Sequence, residues 1–355
     1  MREVLAGVSL ALVLLAAGCS GGAASSESGA GSDVEIVGDR SLAGGATTTT
    51  DRTSQAFENP ASNLSSENLE LHFAGDIDFG QSFVTAPAPI APGLGPLFNN
   101  RSCESCHTKN GRGSPILGTG GLGSQALVRV SVAQGAAALP GAPSDVPGIG
   151  TQIQDHAIFG QIPEATIELT WKYFPGALPD GQSYELRSPV LKITLPNGTH
   201  LSGDVMTSLR MPQPVFGLGL LEAIPEDRLL SLTDPEDADN DGISGRANVV
   251  FDAIKGTFVL GRFGRKANQP TLIQQVASAY ANDMGIGNPV FSDSEGNLDI
   301  DFSTLDSSTF YVQTLAVPRA IDVQKPEVKE GEGLFLKIGC GSCHVPSHLT
   351  GTHPI

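Results

Sequence analysis

The sequence predicts a mainly α-helical protein that carries a β-hairpin-rich insertion and many loops. Two segments, 103–107 and 340–344, repeat the pattern Cys-x-x-Cys-His, whose spacing suits one face of a helical turn. Between them, residues 166–198 alternate apolar and polar positions around Asp-Gly and Asn-Gly turns, which indicates antiparallel hairpins. With 43 glycines, 24 prolines and 6% aromatic residues, much of the remaining chain is expected to be loop and turn.

Residues 1–19 have the features of an export signal. One early positive charge precedes an apolar run, from Val8 to Cys19, that is too short for a stable membrane span. The segment Leu15-Ala-Ala-Gly-Cys19 is similar to a bacterial lipobox, in which the signal is cut before the cysteine and its sulfur receives lipid. We therefore expect a lipid anchor at Cys19 and a periplasmic position in the bacterial cell envelope, with the outer membrane as the default. An ordinary secretory signal with a free Cys19 is the alternative.

Residues 20–65 are rich in Gly, Ser, Ala and Thr with scattered acids. Such a segment buries too little apolar surface to fold by itself, so it predicts a flexible tether. The formal net charge of −17 argues against nucleic acid as a partner.

The first Cys-x-x-Cys-His segment consists of Cys103, Cys106 and His107. This is the pattern of covalent c-type haem attachment, in which two thiols bond the porphyrin and the imidazole ligates the iron. A redox Cys-x-x-Cys needs no following histidine, and the thioredoxin-like kind requires a βαβ context that the sequence lacks. A zinc ribbon would place its two pairs about 15–20 residues apart, whereas Cys106 and Cys340 differ by 340 − 106 = 234 positions.

The second segment consists of Cys340, Cys343 and His344. Of five cysteines, one is then assigned to lipid and four to two haems, which leaves no thiol for a disulfide. The sequence thus predicts cytochrome c-like haem domains: a first at 66–325, with the β insertion at about 126–215, and the start of a second at 326–355. Little chain follows His344 to cover a haem, so we expect the second domain to be truncated.

An acidic loop at 237–246 suggests calcium. Asp237, Asp239 and Asp241 alternate ahead of a glycine, and the carbonyl of Ile243 stands at the seventh position, as at the start of a calcium loop. Asn248 replaces the bidentate glutamate of an EF-hand, so the motif is incomplete. A solvated acidic turn is the alternative.

From about residue 66 onward the chain resembles the bacterial di-haem oxidoreductase family, described as thiol oxidoreductases or peroxidases and related to di-haem cytochrome c peroxidases and MauG. The resemblance rests on ordered motifs, which are Gly93-Leu-Gly-Pro-Leu-Phe-Asn followed by the first Cys-x-x-Cys-His, Gly217-Leu-Gly-Leu-Leu-Glu-Ala-Ile-Pro, Asp239-x-Asp-Gly-Ile-Ser-Gly-Arg, Gly261-Arg-Phe-Gly and Asp283-Met-Gly-Ile.

The resemblance also implies a catalytic pocket. In the peroxidase group a glutamine and an acid before a methionine lie over the open face of the reactive haem. Here Gln275 and Asp283 hold the corresponding places, although Asp283 is shorter than the usual glutamate, and no tryptophan precedes Gly264-Arg265. A carboxylate there could move a proton between peroxide oxygens, while an amide could hold the peroxide. An ordinary polar helix face is the alternative for both residues.

The leading functional hypothesis is an envelope-anchored di-haem oxidoreductase with cytochrome c peroxidase-like activity. The haem of His107 would be reactive, and that of His344 would relay electrons. The expected partners are peroxide or another small oxidant and an electron-donor protein such as a small cytochrome or cupredoxin. The alternatives are a non-catalytic di-haem electron carrier and a redox accessory to metal uptake.

Overall fold

A computed structural model describes residues 39–118 and 123–352 of the chain. The signal peptide, Cys19 and the first part of the tether lie outside the described residues. The α-helices are α1 (Ser66–Gly80), α2 (Cys103–Cys106), α3 (Leu218–Glu222), α4 (Glu226–Leu230), α5 (Leu272–Met284), α6 (Phe302–Thr314) and α7 (Pro326–Lys337). Short 3₁₀ turns cover Gly45–Thr47, Thr108–Asn110 and Cys340–Ser342. In the described ranges, no helix is long and apolar enough to span a bilayer.

The strands form small, separate antiparallel sheets. They are β1 (Leu97–Phe98), β2 (Leu127–Ser131), β3 (Gln152–Ile153), β4 (His156–Ala157), β5 (Thr166–Ala177), β6 (Ser183–Thr194), β7 (Met206–Arg210), β8 (Val249–Asp252) and β9 (Thr257–Leu260). β2 lies between β3 and β7, while β1 pairs with β4, β5 with β6, and β8 with β9. The β5–β6 pair confirms the hairpin predicted at the Asp180-Gly181 turn, because Ala177 lies opposite Ser183 and Thr166 opposite Thr194.

The prediction of a mainly α fold is wrong. Of the described residues, 25% are helical and 20% are in strands. Three of the helices span only four or five residues. Gly217, with φ 73°, precedes α3, and Pro225 precedes α4, so neither residue continues a regular helix from the chain before it. Helical patterns therefore give only short helices there, while each strand of the β5–β6 hairpin extends for twelve residues.

Helices α1, α5 and α6 pack around the first Cys-x-x-Cys-His segment. Gly75 of α1 approaches α6 so closely that a Cβ there would strike the backbone of Ser307, and this lets α1 and α6 pack against each other. Cys103 contacts two buried clusters, one containing Tyr280 of α5 and the other Tyr311 of α6. Helices α1, α5 and α6 thus surround one side of α2.

One helix boundary differs from the sequence prediction. Helical periodicity from Pro270 to Gly285 predicts a helix, and α5 agrees with it. The sequence predicts polar loop over residues 288–310 and a helix over 310–317, whereas α6 begins earlier, at Phe302. Asp301 caps α6 by accepting a hydrogen bond from the Thr304 amide at 2.9 Å. The polar residues Ser308, Thr309 and Thr314 are buried in this helix because their hydroxyls find partners inside it and on α1 and α5, and this hides its pattern.

Residues 39–65, which composition predicts to be tether, lie against the segment after α6. The Thr49 amide donates to Val317 O at 3.1 Å, and the Ala61 amide donates to Thr314 O at 2.8 Å. The Ala316 amide donates to Asn59 O at 2.9 Å. Backbone pairing with another part of the chain orders this segment without a large apolar face of its own.

Candidate haem and acid site

The first Cys-x-x-Cys-His segment begins with a capped helical turn. Ser102 Oγ accepts a hydrogen bond from the Ser105 amide at 3.2 Å, which starts α2 at Cys103. The turn then places Cys106 and His107 on the same side as Cys103. His107 Nδ1 lies 2.8 Å from the carbonyl oxygen of Gln213, to which it donates. That bond fixes the ring and leaves Nε2 unprotonated, as an iron ligand requires.

Both thiols of this segment are free and partly buried. Burial raises the pKa of Cys103 and of Cys106 to about 12, with the negative charge of Asp283 contributing to both shifts. Burial also lowers the pKa of His107, so its imidazole is neutral. Two protonated thiols beside a neutral, oriented imidazole form the donor set that a haem requires, and the residues present therefore fit this cofactor.

Aromatic side chains line the region behind His107. The Phe79 ring lies 6.4 Å from the His107 ring and 5.2 Å from the Tyr311 ring. Asn110 Nδ2 donates to Tyr311 Oη at 2.7 Å. The loop that follows His107 is thus tied to α6, which stiffens the position of the imidazole.

The second segment is much more open. Cys340 stands in a 3₁₀ turn just after α7, while Cys343 and His344 are exposed. The Phe335 ring lies 5.6 Å from the His344 ring, but α7 has no buried residue. The structure therefore brings Cys340, Cys343 and His344 together on one turn without the surrounding wall that the first segment has.

Asp283, near the C-terminus of α5, lies close to the first pair of thiols. Burial raises the pKa of its carboxyl group, against the opposing effects of a hydrogen bond from Gln152 and the charge of Arg129. Gln152 Nε2 donates to Asp283 Oδ1 at 2.7 Å. The carbonyl of Asp283 accepts from the amides of Asn99 and Asn100 at 2.8 and 3.2 Å. A buried carboxyl group is thus fixed by the loop that leads into Cys103.

Two glycines permit this arrangement. A Cβ at Gly95 would strike the backbone of Gly285, and Gly285 ends α5 with φ 65°. The Gly95 amide donates to Met284 O at 3.0 Å. The end of α5 therefore lies directly on the 93–100 loop.

Gln275 lies away from Asp283. Both residues are on α5, but they are separated by about 12 Å along its axis and point in directions roughly 80° apart. Gln275 Oε1 faces Gly264. The structure pairs Asp283 with Gln152, a residue the sequence analysis missed, because an amide on a two-residue strand far along the chain carries no motif.

The acidic loop brings together a set of carboxylates that differs from the predicted one. Oxygens of Asp234, Asp237 and Asp239 lie within 4.8 Å of one another. Asp241 does not belong to this group, and its Oδ1 accepts a hydrogen bond from the Ile243 amide at 2.8 Å. Three hard oxygen donors suit Ca²⁺, but they include Asp234, which lies before the predicted loop.

Comparison with known proteins shows the family of this chain. The chain matches the family described as "Di-haem oxidoreductase, putative peroxidase" over residues 38–297 and 293–355. A search of curated proteins found no match. A search of solved structures likewise found none. Because the family match covers well over half of the chain, this protein belongs to the di-haem oxidoreductase family.

Proposed function

We propose that this member of the di-haem oxidoreductase family is a c-type peroxidase-like enzyme. Its first haem would be bonded to Cys103 and Cys106, ligated by His107, and react with peroxide or another small oxidant. The observation that carries the proposal is the position of Asp283, a buried carboxyl group with a raised pKa beside these two thiols. Perturbed acids of this kind concentrate at functional sites.

The chemistry follows from the carboxyl group. A bound haem would supply an iron that takes up peroxide and exchanges electrons. Asp283 would accept a proton from one peroxide oxygen and return it to the other, which requires a carboxylate that is not too weak a base. Burial strengthens Asp283 as a base, and the bond from Gln152 keeps it from being protonated permanently. Gln275, which lies nearer the start of α5, is the less favoured second catalytic residue.

The second haem, at Cys340, Cys343 and His344, would be the electron entry. Its exposed turn supports this role, because a relay must come close to a donor protein. The net charge of −17 would suit a basic small cytochrome or cupredoxin as that donor.

Envelope anchoring and calcium complete the proposal. Lipid at Cys19 would hold the enzyme on the periplasmic side of the envelope. Calcium would bind the loop of Asp234, Asp237 and Asp239, whose clustered oxygens support a site of that chemistry.

Covalent attachment is tested by mass and by haem content. In protein matured in the bacterial envelope, we expect two haems that survive denaturation. The double variant Cys103→Ala/Cys106→Ala should lose one of them, and Cys340→Ala/Cys343→Ala should lose the other. A wild-type chain that carries no covalent haem would refute the c-type assignment.

The reaction is tested by adding peroxide to the half-reduced protein and following both its spectrum and the oxidation of a reduced cytochrome. We expect Asp283→Asn to slow peroxide consumption about 100-fold or more, the usual range for a general acid–base residue. Asp306→Asn, which removes an exposed carboxylate from α6, is the control and should not change the rate. A wild-type spectrum unmoved by peroxide or cyanide would favour the electron-carrier alternative.

A further inference from the structure

We propose that Gln152, held by Arg129, is the positioning residue that aims the Asp283 carboxyl group into the haem site. This inference rests on the proposed function, since it assigns an orienting partner to the acid of that reaction. It also gives the β insertion a part in the active site, because Gln152 lies on β3 and Arg129 on β2.

The side-chain amide of Gln152 has hydrogen-bond partners for both its oxygen and its nitrogen. Gln152 is 2% exposed, and its Nε2, which carries two N–H donors, lies within hydrogen-bond distance of three acceptors: Asp283 Oδ1 at 2.7 Å, Asn99 Oδ1 at 2.8 Å and Asn282 O at 3.1 Å. An amide buried among three acceptors cannot rotate without leaving donors unpaired, which costs about 1–3 kcal/mol per group. The nitrogen is therefore locked toward α5.

Arg129 determines which way the amide faces. Its Nη1 donates to Gln152 Oε1 at 2.9 Å, and its Nη2 donates to Thr151 Oγ1 at 3.2 Å. A guanidinium group has donors only, so the atom of Gln152 next to it must be the oxygen. The nitrogen of Gln152 must then face the carboxylate of Asp283. The Arg129 contact thus distinguishes the amide oxygen from the amide nitrogen independently of the Asp283 contact.

Asp283 is held from the other side by its own backbone. The amides of Asn99 and Asn100 clamp its carbonyl, while Gln152 holds Oδ1. Together, these bonds hold the backbone of Asp283 on one side and Oδ1 of its carboxyl group on the other. The arrangement fixes the direction in which the carboxyl group points.

The charged and titratable groups around Asp283 come from three elements. The charge of Arg129 on β2 lowers the pKa of Asp283. The negative charge of Asp283 in turn contributes to the raised pKa of the Cys103 and Cys106 thiols on α2. Asp155 lies one hydrogen bond farther out, since Asn99 Nδ2 donates to it at 2.9 Å, and it contacts His156 at 3.0 Å. Removing the hydrogen bond from Gln152 takes away one of the two effects that lower the pKa of Asp283. That pKa should therefore rise.

The test uses the haem-loaded protein and the variant Gln152→Leu. We expect the acid limb of the pH–rate profile for peroxide to move up by about one pH unit or more, the size of a hydrogen bond to a charged group. The infrared carbonyl band of protonated Asp283 should titrate with the same shift, which reports the carboxyl group without any turnover. Gln152→Glu keeps the Arg129 contact but opposes two carboxyl groups, so it should shift both readings in the same direction.

Gln154→Leu is the matched control. Gln154 follows the same strand and donates to the backbone oxygen of Asn282 at 3.0 Å, not to a carboxylate. This variant should lose a comparable bond and leave both titrations in place. If both Gln152 variants fold, bind haem and titrate like wild type, the positioning role is refuted. If Asp283→Asn itself leaves the peroxide reaction unchanged, the proposed function fails instead, whatever the Gln152 variants do.

Discussion

Asn110 Nδ2 lies 2.7 Å from Tyr311 Oη, and the bond joins residues 201 positions apart in sequence. Asn110 ends the 3₁₀ turn just after His107, and its amide donates to the His107 carbonyl at 2.7 Å. Tyr311 stands on α6 and is 2% exposed. One buried side-chain bond therefore connects the loop that follows His107 to a long helix.

Asn110→Ala should destabilise the protein by about 2 kcal/mol or more. The variant removes the donor from Tyr311 and from Phe57 O, and it places alanine at φ 57°, where a Cβ is unfavourable. Denaturant unfolding of the haem-loaded protein measures the loss. Asn110→Gly tolerates the backbone but lacks the amide, so a fully stable glycine variant would show that the hydrogen bonds contribute nothing.

Glu164→Gln should stabilise the protein above pH 7. Burial raises the pKa of Glu164 to about 7 from 4.5, so the folded state resists ionisation, and stability is lost as pH rises between these values. Oε2 of Glu164 accepts a hydrogen bond from the backbone amide of Gln154 at 2.7 Å, and the oxygen of a glutamine at position 164 can accept the same bond. Allowing for partial solvent screening, we expect a gain of about 1 kcal/mol at neutral pH.

Unfolding free energy measured against pH checks this gain. The exposed Glu168, paired with Lys192 on the surface of the hairpin, supplies the control variant Glu168→Gln. The slope of the unfolding free energy against pH should be flatter in Glu164→Gln than in the wild type, and it should not change in Glu168→Gln. An equal change in both variants would assign the effect to net charge.

His72 should give a slope of the opposite sign. Burial lowers its pKa to about 4 from 6.5, so the unfolded chain takes up a proton first, and stability is lost as pH falls through this window. His72→Asn can still donate to Thr314 Oγ1, which lies 2.7 Å from Nδ1. In that variant, the loss of unfolding free energy on going from neutral to acid pH should be smaller by about 1–2 kcal/mol, after allowance for solvent screening.

The measurement is thermal or denaturant unfolding between pH 4 and pH 7. His200→Asn, at an exposed position after the hairpin, should leave the profile unchanged. Retention of the full slope in His72→Asn would mean that another group is responsible.

Calcium should stabilise the protein through Asp237. At about 100 times its dissociation constant, a bound ion adds about 2.7 kcal/mol, or several degrees in Tm. Asp237→Asn should abolish the rise on adding Ca²⁺, as should chelation. Asp241→Asn is the matched control, since Asp241 lies outside the carboxylate group and its Oδ1 accepts from the Ile243 amide of its own loop. An equal loss in both variants would point to a general charge effect.

The sequence by itself determined which side chains lie together in the two Cys-x-x-Cys-His segments. Cys103, Cys106 and His107 are close in the chain, so local helical spacing is enough to bring them together. The same holds for the hairpin, whose turn residues dictate its register. Family membership followed from motifs that are likewise continuous in sequence.

Only the tertiary structure decided what surrounds those sites. Gln152 meets Asp283 across 131 positions, and Asn110 meets Tyr311 across 201, so no local pattern could reveal either contact. The predicted proportions of helix and strand were wrong. Pairing between distant segments stabilises the short strands, and buried hydroxyls disguise α6. Local spacing determines which atoms can bind a cofactor, whereas long-range packing determines how they are held and how easily a neighbouring acid ionises.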